Sequence, residues 1–165
     1  MNTKPLIENV FWQKEEECMP LDELRALQLQ KLRAVVARVY ASVPAYTKSF
    51  DKAGIKPDDI KSLDDLRRLP FTTKEDLRNN YPLGYLAIPR REVARFHGSS
   101  GSTGRPTFVA YSKSDMNNWA DLCARFLYSG GLRASMTAQV SFGYGLFTGG
   151  FGLHQGIERV GAAVM

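Results

Sequence analysis

Apolar residues in the first part of the chain recur at helical spacing. From Leu24 to Tyr40 they follow roughly a 3.6-residue period, and Pro20 precedes them, which predicts a long amphipathic helix. A shorter helix is predicted from Pro44 to Gly54, where a glycine suits a left-handed cap. Capping-box patterns at residues 62–65 and 72–75 each predict a further brief helix.

The second part of the chain alternates between strand and helix patterns. The predicted order is a strand at Val93–His97, a strand at Thr107–Tyr111, a helix from Ser114 to Gly130, a buried strand at Thr137–Phe142, a helix to about Arg159 and a strand at Ala162–Met165. This order is typical of an α/β layer. The predicted fold class is therefore α/β, with a helical amino-terminal region followed by an incomplete layered sheet domain.

Composition changes where the pattern changes. Residues 1–92 hold 30 charged residues and two of the 14 glycines, whereas residues 93–165 hold nine charged residues and the other twelve glycines. We therefore expect a mainly helical region at 1–92. We expect 93–165 to begin an α/β subdomain whose backbone comes close to a ligand, because glycines permit such an approach.

The net charge of +5 is spread along the chain. Residues 1–92 contribute +2 (16 basic, 14 acidic) and residues 93–165 contribute +3 (6 basic, 3 acidic), with no basic block of the kind that binds nucleic acid. The amino terminus lacks a signal-peptide pattern, and no apolar run approaches the roughly 20 residues that span a bilayer. We expect a cytoplasmic protein with no nucleic-acid or membrane partner; oligomeric state stays open, and a homo-oligomer is compatible with the sequence.

The cysteines and histidines give no catalytic or metal signature. Cys18 and Cys123 lie 105 positions apart without a nearby ligand at zinc spacing, which also excludes a disulfide framework. His97 and His154 are the two histidines, and no nucleophile-elbow sequence accompanies them.

The segment with the clearest chemistry is the loop at residues 98–106. Its three glycines allow successive N–H groups to surround an anion, its Ser and Thr hydroxyls donate, and Arg105 can fork onto phosphate oxygens. It is not a Walker A loop, because Arg105-Pro106 leads into a predicted strand rather than a helix. From composition alone, a flexible Ser/Gly hairpin loop is an equally good interpretation.

Residues 99–107 are similar to the phosphate-binding signature of the adenylate-forming superfamily. The usual form, Ser/Thr-Ser-Gly-Thr-Thr-Gly-Lys-Pro-Thr, is matched at seven of nine positions; Ser102 keeps the hydroxyl of a threonine, and Arg105 keeps the charge of a lysine. The resemblance implies that ATP phosphates are held by Ser99, Ser100, Gly101, Ser102, Thr103, Gly104 and Arg105. It also implies Mg²⁺ near the Thr103 hydroxyl.

A second block narrows the resemblance. Residues 142–154 contain Tyr-Gly-Leu-Phe-Thr-Gly-Gly, which closely resembles a segment of the phenylacetate-CoA ligase family that helps to form the acyl pocket. The resemblance implies that the pocket is lined by Phe142, Tyr144, Phe147 and Gly149. It also implies that residues 93–165 begin the subdomain that binds nucleotide and acyl groups. The alternative is that Phe142, Phe147 and Phe151 belong to the core.

The resemblance to phenylacetate-CoA ligases implies an ATP-dependent reaction in two steps. A small aryl acid and ATP would form an acyl-adenylate, and CoA would then accept the acyl group. The family's ribose-binding aspartate, hinge and carboxy-terminal lysine have no match here, so we expect no catalytic residue in this chain and no activity from it alone. The alternatives are a non-catalytic ATP- or phosphate-binding module and an inactive truncated remnant.

Overall fold

The computed structural model describes residues 10–99 and 106–165. Within these ranges the α-helices are α1 Lys14–Glu17, α2 Leu21–Ser42, α3 Pro44–Lys52, α4 Lys74–Asn79, α5 Lys113–Ser129 and α6 Thr148–Val160. The strands are β1 Val93–Gly98, β2 Phe108–Ser112, β3 Thr137–Ala138 and β4 Ala163–Val164. Short 3₁₀ helices occupy Pro57–Asp59, Leu63–Arg68 and Arg90–Glu92.

Contacts divide the chain into two units. The first, the helical unit, is Pro20–Ala110, and the second, the α/β unit, is Tyr111–Met165 together with the segment that precedes Pro20. The compositional boundary at residue 92 falls inside the helical unit. The division into 1–92 and 93–165 therefore stays a prediction.

The helical unit is built around the packing of α2 on α3. Val36, Phe50, Ile55 and Ile60 form its buried core. As the sequence predicts, a glycine terminates α3: Gly54 has a φ of 68°, and the N–H of Ile55 donates to the carbonyl of Phe50 at 2.9 Å. This six-to-one bond satisfies a carbonyl at the helix end and turns the chain back toward the core.

The two predicted capping boxes are present, one of them displaced by a residue. Asp65 accepts from the N–H of Ser62 at 2.8 Å, as the pattern at 62–65 predicts. The second box is Thr73 with Asp76, not residues 72–75, and Asp76 accepts from the N–H of Thr73 at 2.7 Å. The displacement has a physical reason, because the Thr72 hydroxyl instead donates to the Tyr46 hydroxyl at 3.2 Å.

The sheet of the α/β unit is a parallel pair joined through α6. β3 and β4 pair with Thr137 opposite Ala163 and Ala138 opposite Val164. The prediction of a buried strand over Thr137–Phe142 was wrong in length and burial, because the strand ends at Ala138 and Thr137 is exposed. With only two strands in this sheet among the described residues, the pairing is too small to bury its own residues.

Glycines on α6 set how closely it packs on α5. A Cβ built on Gly152 would come within 2.7 Å of the Trp119 ring, and one on Gly156 within 2.5 Å of the Cys123 Cβ. Ala120 and Ala124 are also buried on α5. The two helices therefore approach each other closely through small residues.

Candidate functional site

The described ends of the 98–106 loop are tied together. The N–H of Ser99 donates to the carbonyl of Thr107 at 3.0 Å, and the Ser99 hydroxyl oxygen accepts from the N–H and from the hydroxyl of Thr107 at 3.1 and 3.0 Å. A hydroxyl that accepts twice still has its own hydrogen to donate, which is what a phosphate oxygen requires. These hydrogen bonds hold Ser99 in place at the base of the loop, so its hydroxyl is a candidate donor to phosphate.

The remaining predicted phosphate-binding residues lie outside the described part of the chain. These are Ser100, Gly101, Ser102, Thr103, Gly104 and Arg105. Their roles, and the Mg²⁺ role of Thr103, stay predictions.

A buried histidine precedes the loop. His97 is 1% exposed at the end of β1, on the side of the strand shared with Val93 and Arg95. The alternation of the strand places these three residues on one face. The sequence analysis missed the burial of His97, which this alternation could have signalled.

The predicted acyl-pocket residues form an exposed apolar segment before α6. Phe142 is 57% exposed, Tyr144 51% and Phe147 55%, and Leu146 between them is also exposed. Phe142 and Phe147 are therefore not part of the core of this chain, contrary to the alternative interpretation of the block. Contiguous exposed apolar side chains are typical of a binding surface.

Two glycines at the start of α6 let this segment lie close to the helix. A Cβ on Gly149 would be 3.7 Å from the Phe142 ring, and one on Gly150 would be 3.1 Å from the carbonyl oxygen of Gly143. The structure therefore brings Phe142 and Gly149, two of the predicted pocket residues, close together. Gly150 was not predicted as a site residue. The one sequence signal for its close approach to the loop is the Gly149-Gly150 pair.

Tyr144 is held separately, by residues further along α6. Its hydroxyl lies 2.9 Å from Nδ1 of His154, and its ring lies edge-on to the Phe151 ring with centroids 5.3 Å apart. Nε2 of His154 in turn lies 3.3 Å from Oε1 of Glu158. The sequence analysis assigned no role to His154 or Glu158, although their spacing of four residues places them on one face of a helix.

The described residues hold neither a metal-binding cluster nor a membrane-spanning helix. Across 10–99 and 106–165, no group of three or more His, Cys, Asp or Glu side chains is placed to hold a metal ion. In the same ranges, no helix combines the length and apolar character needed to cross a membrane.

Comparison with known proteins identifies the relatives of this chain. It is 52% identical over 144 residues to a phenylacetate-coenzyme A ligase of Aromatoleum evansii, and this alignment covers 87% of this chain and 33% of that protein. It is 49% identical over 149 residues to the phenylacetate-coenzyme A ligase of Escherichia coli (strain K12), covering 90% of this chain and 34% of that protein. The chain is a relative of the phenylacetate-CoA ligases. No protein-family profile matches it.

A solved structure of a CoA ligase supports the same relationship. The chain aligns with a 2-hydroxyisobutyryl-CoA ligase, crystallised in complex with 2-HIB-AMP and CoA, at a TM-score of 0.89 and 30% identity. The alignment covers 99% of this chain and 36% of that structure. The predicted resemblance and fold class are thus confirmed, and the chain spans about a third of the length of the relatives it matches.

Proposed function

We propose that this chain is the amino-terminal portion of an ATP-dependent aryl-acid CoA ligase. The observation that carries the proposal is its identity of about one half to phenylacetate-CoA ligases over 87–90% of its own length. The exposed aromatic segment before α6, built of the residues that the family resemblance implies for the acyl pocket, supports the same conclusion. In the whole protein, a carboxylate would attack ATP to give an acyl-adenylate and pyrophosphate, and the CoA thiol would then displace AMP to give the thioester.

The role of Ser99–Arg105 in this reaction is to hold the β- and γ-phosphates as pyrophosphate leaves. The Ser99 hydroxyl, whose oxygen accepts from Thr107, would donate its own hydrogen to a phosphate oxygen, and Arg105 would supply a permanent charge where negative charge develops. Fixed donors and charges of this kind are usually the largest catalytic contribution of a protein. The support for this role is the sequence match at 99–107 and the Ser99–Thr107 hydrogen bonds that close the loop.

The part of the chain proposed for Mg²⁺ offers little direct coordination. Residues 98–106 contain no carboxylate, and the Thr103 hydroxyl is a single weak oxygen ligand. This donor set fits a magnesium ion held mainly by phosphate oxygens and water, which is how Mg²⁺ is commonly bound to nucleotides. The ion would neutralise the phosphate charge when bound.

The acyl pocket is proposed to be lined by Phe142, Tyr144, Phe147 and Gly149. Aromatic side chains supply an apolar wall, and the glycine allows a flat ring to approach the helix. The substrate class is therefore a small aryl acid. A cytoplasmic location and the absence of nucleic-acid and membrane partners remain predictions.

The phosphate-binding role is tested in a chimeric ligase, in which this chain replaces the matched segment of the E. coli enzyme. ATP–pyrophosphate exchange driven by phenylacetate is measured for Arg105→Ala and Arg105→Lys. Alanine should reduce exchange by about 10²–10³-fold, as expected for the loss of one transition-state donor, whereas lysine should retain most of it. The matched control is Arg91→Ala, because Arg91 is exposed outside the loop.

Unchanged exchange by the Arg105→Ala chimera would overturn the phosphate-binding role. The isolated 165-residue chain is expected to form no thioester from aryl acid, ATP and CoA. Thioester formation by the pure chain would contradict the proposal that it is a portion of the ligase.

A further inference from the structure

Three polar side chains form a series of close contacts that links the loop before α6 to the helix itself. The Tyr144 hydroxyl lies 2.9 Å from Nδ1 of His154, and Nε2 of His154 lies 3.3 Å from Oε1 of Glu158. His154 and Glu158 are one helical turn apart, so α6 holds both partners on the same face.

One placement of the protons satisfies both contacts. When the hydrogen of a neutral imidazole is on Nε2, which lies beside the Glu158 carboxylate, the Nδ1 lone pair can accept the hydrogen of the Tyr144 hydroxyl. The nearby Glu158 carboxylate favours the tautomer with its hydrogen on Nε2, which leaves Nδ1 open as an acceptor. The hydroxyl hydrogen of Tyr144 is then donated to His154 on α6 rather than to a ligand.

The Tyr144 ring is fixed as well as its hydroxyl. It meets the Phe151 ring at 82° with centroids 5.3 Å apart, and the His154 ring at 84° with centroids 5.7 Å apart. Edge-to-face contacts of this kind are favourable arrangements of aromatic rings. Since Tyr144 is still half exposed, the ring remains available to form an apolar wall.

We propose that His154, oriented by Glu158, is a positioning residue that holds Tyr144 as a rigid apolar wall of the acyl site. The inference rests on the proposed function, in which Tyr144 lines the pocket. His154 does not itself touch the acid; it occupies the tyrosine hydroxyl so that the acid meets the ring. The site then favours an acid whose aryl group is apolar where it lies against Tyr144.

The hydrogen bond is tested first by ¹⁵N NMR of the histidine side chains in this chain, at mildly alkaline pH. We expect His154 to be the Nε2-protonated tautomer, with an Nδ1 resonance typical of a hydrogen-bond acceptor. Tyr144→Phe should move that resonance toward the value of a free acceptor, while the resonances of the buried His97 stay unchanged. An Nδ1 resonance unaffected by Tyr144→Phe would overturn the inference, whatever the ligase activity.

The functional consequence is tested in the chimeric ligase. Tyr144→Phe and His154→Ala should each raise the KM for phenylacetate by about two- to tenfold, the range expected for loss of one hydrogen bond, with the KM for ATP unchanged. The double variant should be no worse than the poorer single variant, since both remove the same contact. His154→Asn, which can keep an acceptor near the Nδ1 position, should restore part of the loss.

The outcomes distinguish the positioning role of His154 from the proposed function of the whole protein. If the two substitutions multiplied their effects on the KM for phenylacetate in the double variant, the residues would act independently. That result would contradict positioning of Tyr144 through His154. A chimera that folds but does not use any aryl acid would count against the proposed function. In that case the NMR result still decides whether His154 holds Tyr144.

Discussion

Gly156 of α6 faces the Cys123 side chain of α5 so closely that a Cβ at position 156 would lie 2.5 Å from the Cys123 Cβ and 3.0 Å from its carbonyl carbon. Cys123 is buried, and Ile157 and Val160 of α6 are buried as well. The contact involves backbone as well as side chain, so it cannot be relieved by a change of rotamer. The distance between the two helices, and with it the position of the loop before α6, depends on the absence of a side chain at 156.

Gly156→Ala should therefore destabilise the chain. Forcing a methyl group into a close-packed contact typically costs about 1–3 kcal/mol, even after the higher helix propensity of alanine is allowed for. The free energy of unfolding is measured by urea denaturation. Gly145→Ala is the matched control, because a Cβ there meets nothing within 4 Å and should leave stability nearly unchanged. Equal stability of the Gly156→Ala and wild-type chains would show that the α5–α6 contact is looser than described.

The two cysteines should differ sharply in reactivity. Cys18 is exposed, whereas Cys123 is buried, and this burial raises the pKa of the Cys123 thiol, opposed by a hydrogen bond with Trp119. Because the thiolate is the reactive form, an alkylating reagent should label Cys18 quickly and Cys123 slowly in the folded chain. Mass spectrometry of labelled peptides over time measures both rates. In urea the rates should converge, and equal rates without denaturant would contradict the burial of Cys123.

Asp65 should contribute to the acid sensitivity of the helical unit. Its carboxylate accepts from the N–H groups of Ser62 and Lys61 at 2.8 and 3.0 Å, and these hydrogen bonds hold the pKa of Asp65 well below its ordinary value. A depressed pKa in the folded state stabilises folding above the unfolded value of about 3.9, and this stability is lost as the pH falls further.

Asp65→Asn should lower the melting temperature at neutral pH and flatten its decline in acid. The comparison is a thermal melt of wild type, Asp65→Asn and Asp64→Asn across the acid range. Asp64 is the control because it is exposed and its nearest cation, Arg67, is 3.8 Å away. If Asp64→Asn and Asp65→Asn had the same pH profile, the capping bonds would not be the cause.

Phe147 should affect the binding of the acid and not the binding of the nucleotide. Its side chain is exposed in the segment before α6, where no core packing would be lost. In the chimeric ligase, Phe147→Ala should raise the KM for phenylacetate several-fold and leave the KM for ATP unchanged, because an apolar wall is removed from the acid site alone. Leu122→Ala, at another exposed apolar position on α5, serves as the control. A rise in the KM for ATP instead would place Phe147 outside the acyl pocket.

Local signals in the sequence account for the parts of the fold that were predicted well. The helix from Pro44 ends because Gly54 supplies a positive φ, and the box at Ser62–Asp65 closes within four residues. Both depend on neighbours in sequence, so a single chain is sufficient to predict them. The cap at Thr73 was misplaced by one residue because the competing partner of Thr72, the Tyr46 hydroxyl, is distant in sequence.

The parts that were missed depend on contacts between elements. The length of β3 is set by its pairing with β4 across α6, which no alternation of residues specifies. Gly152 and Gly156 are explained only by Trp119 and Cys123 on the opposing helix. In the candidate site, Tyr144 was predicted from a motif, but its hydrogen bond to His154 depends on how the loop folds back onto α6.

The most direct measurement is thioester formation by the chimeric ligase, compared with the same scaffold from which the matched segment has been deleted. Phenylacetate, ATP, Mg²⁺ and CoA are supplied, and phenylacetyl-CoA and AMP are quantified by chromatography. If this chain is the amino-terminal portion of an aryl-acid CoA ligase, the chimera should form both products in equal amounts, and the deleted scaffold should form neither. A chimera that is folded by circular dichroism and cooperative melting, yet forms no acyl-adenylate and no thioester, would contradict that assignment.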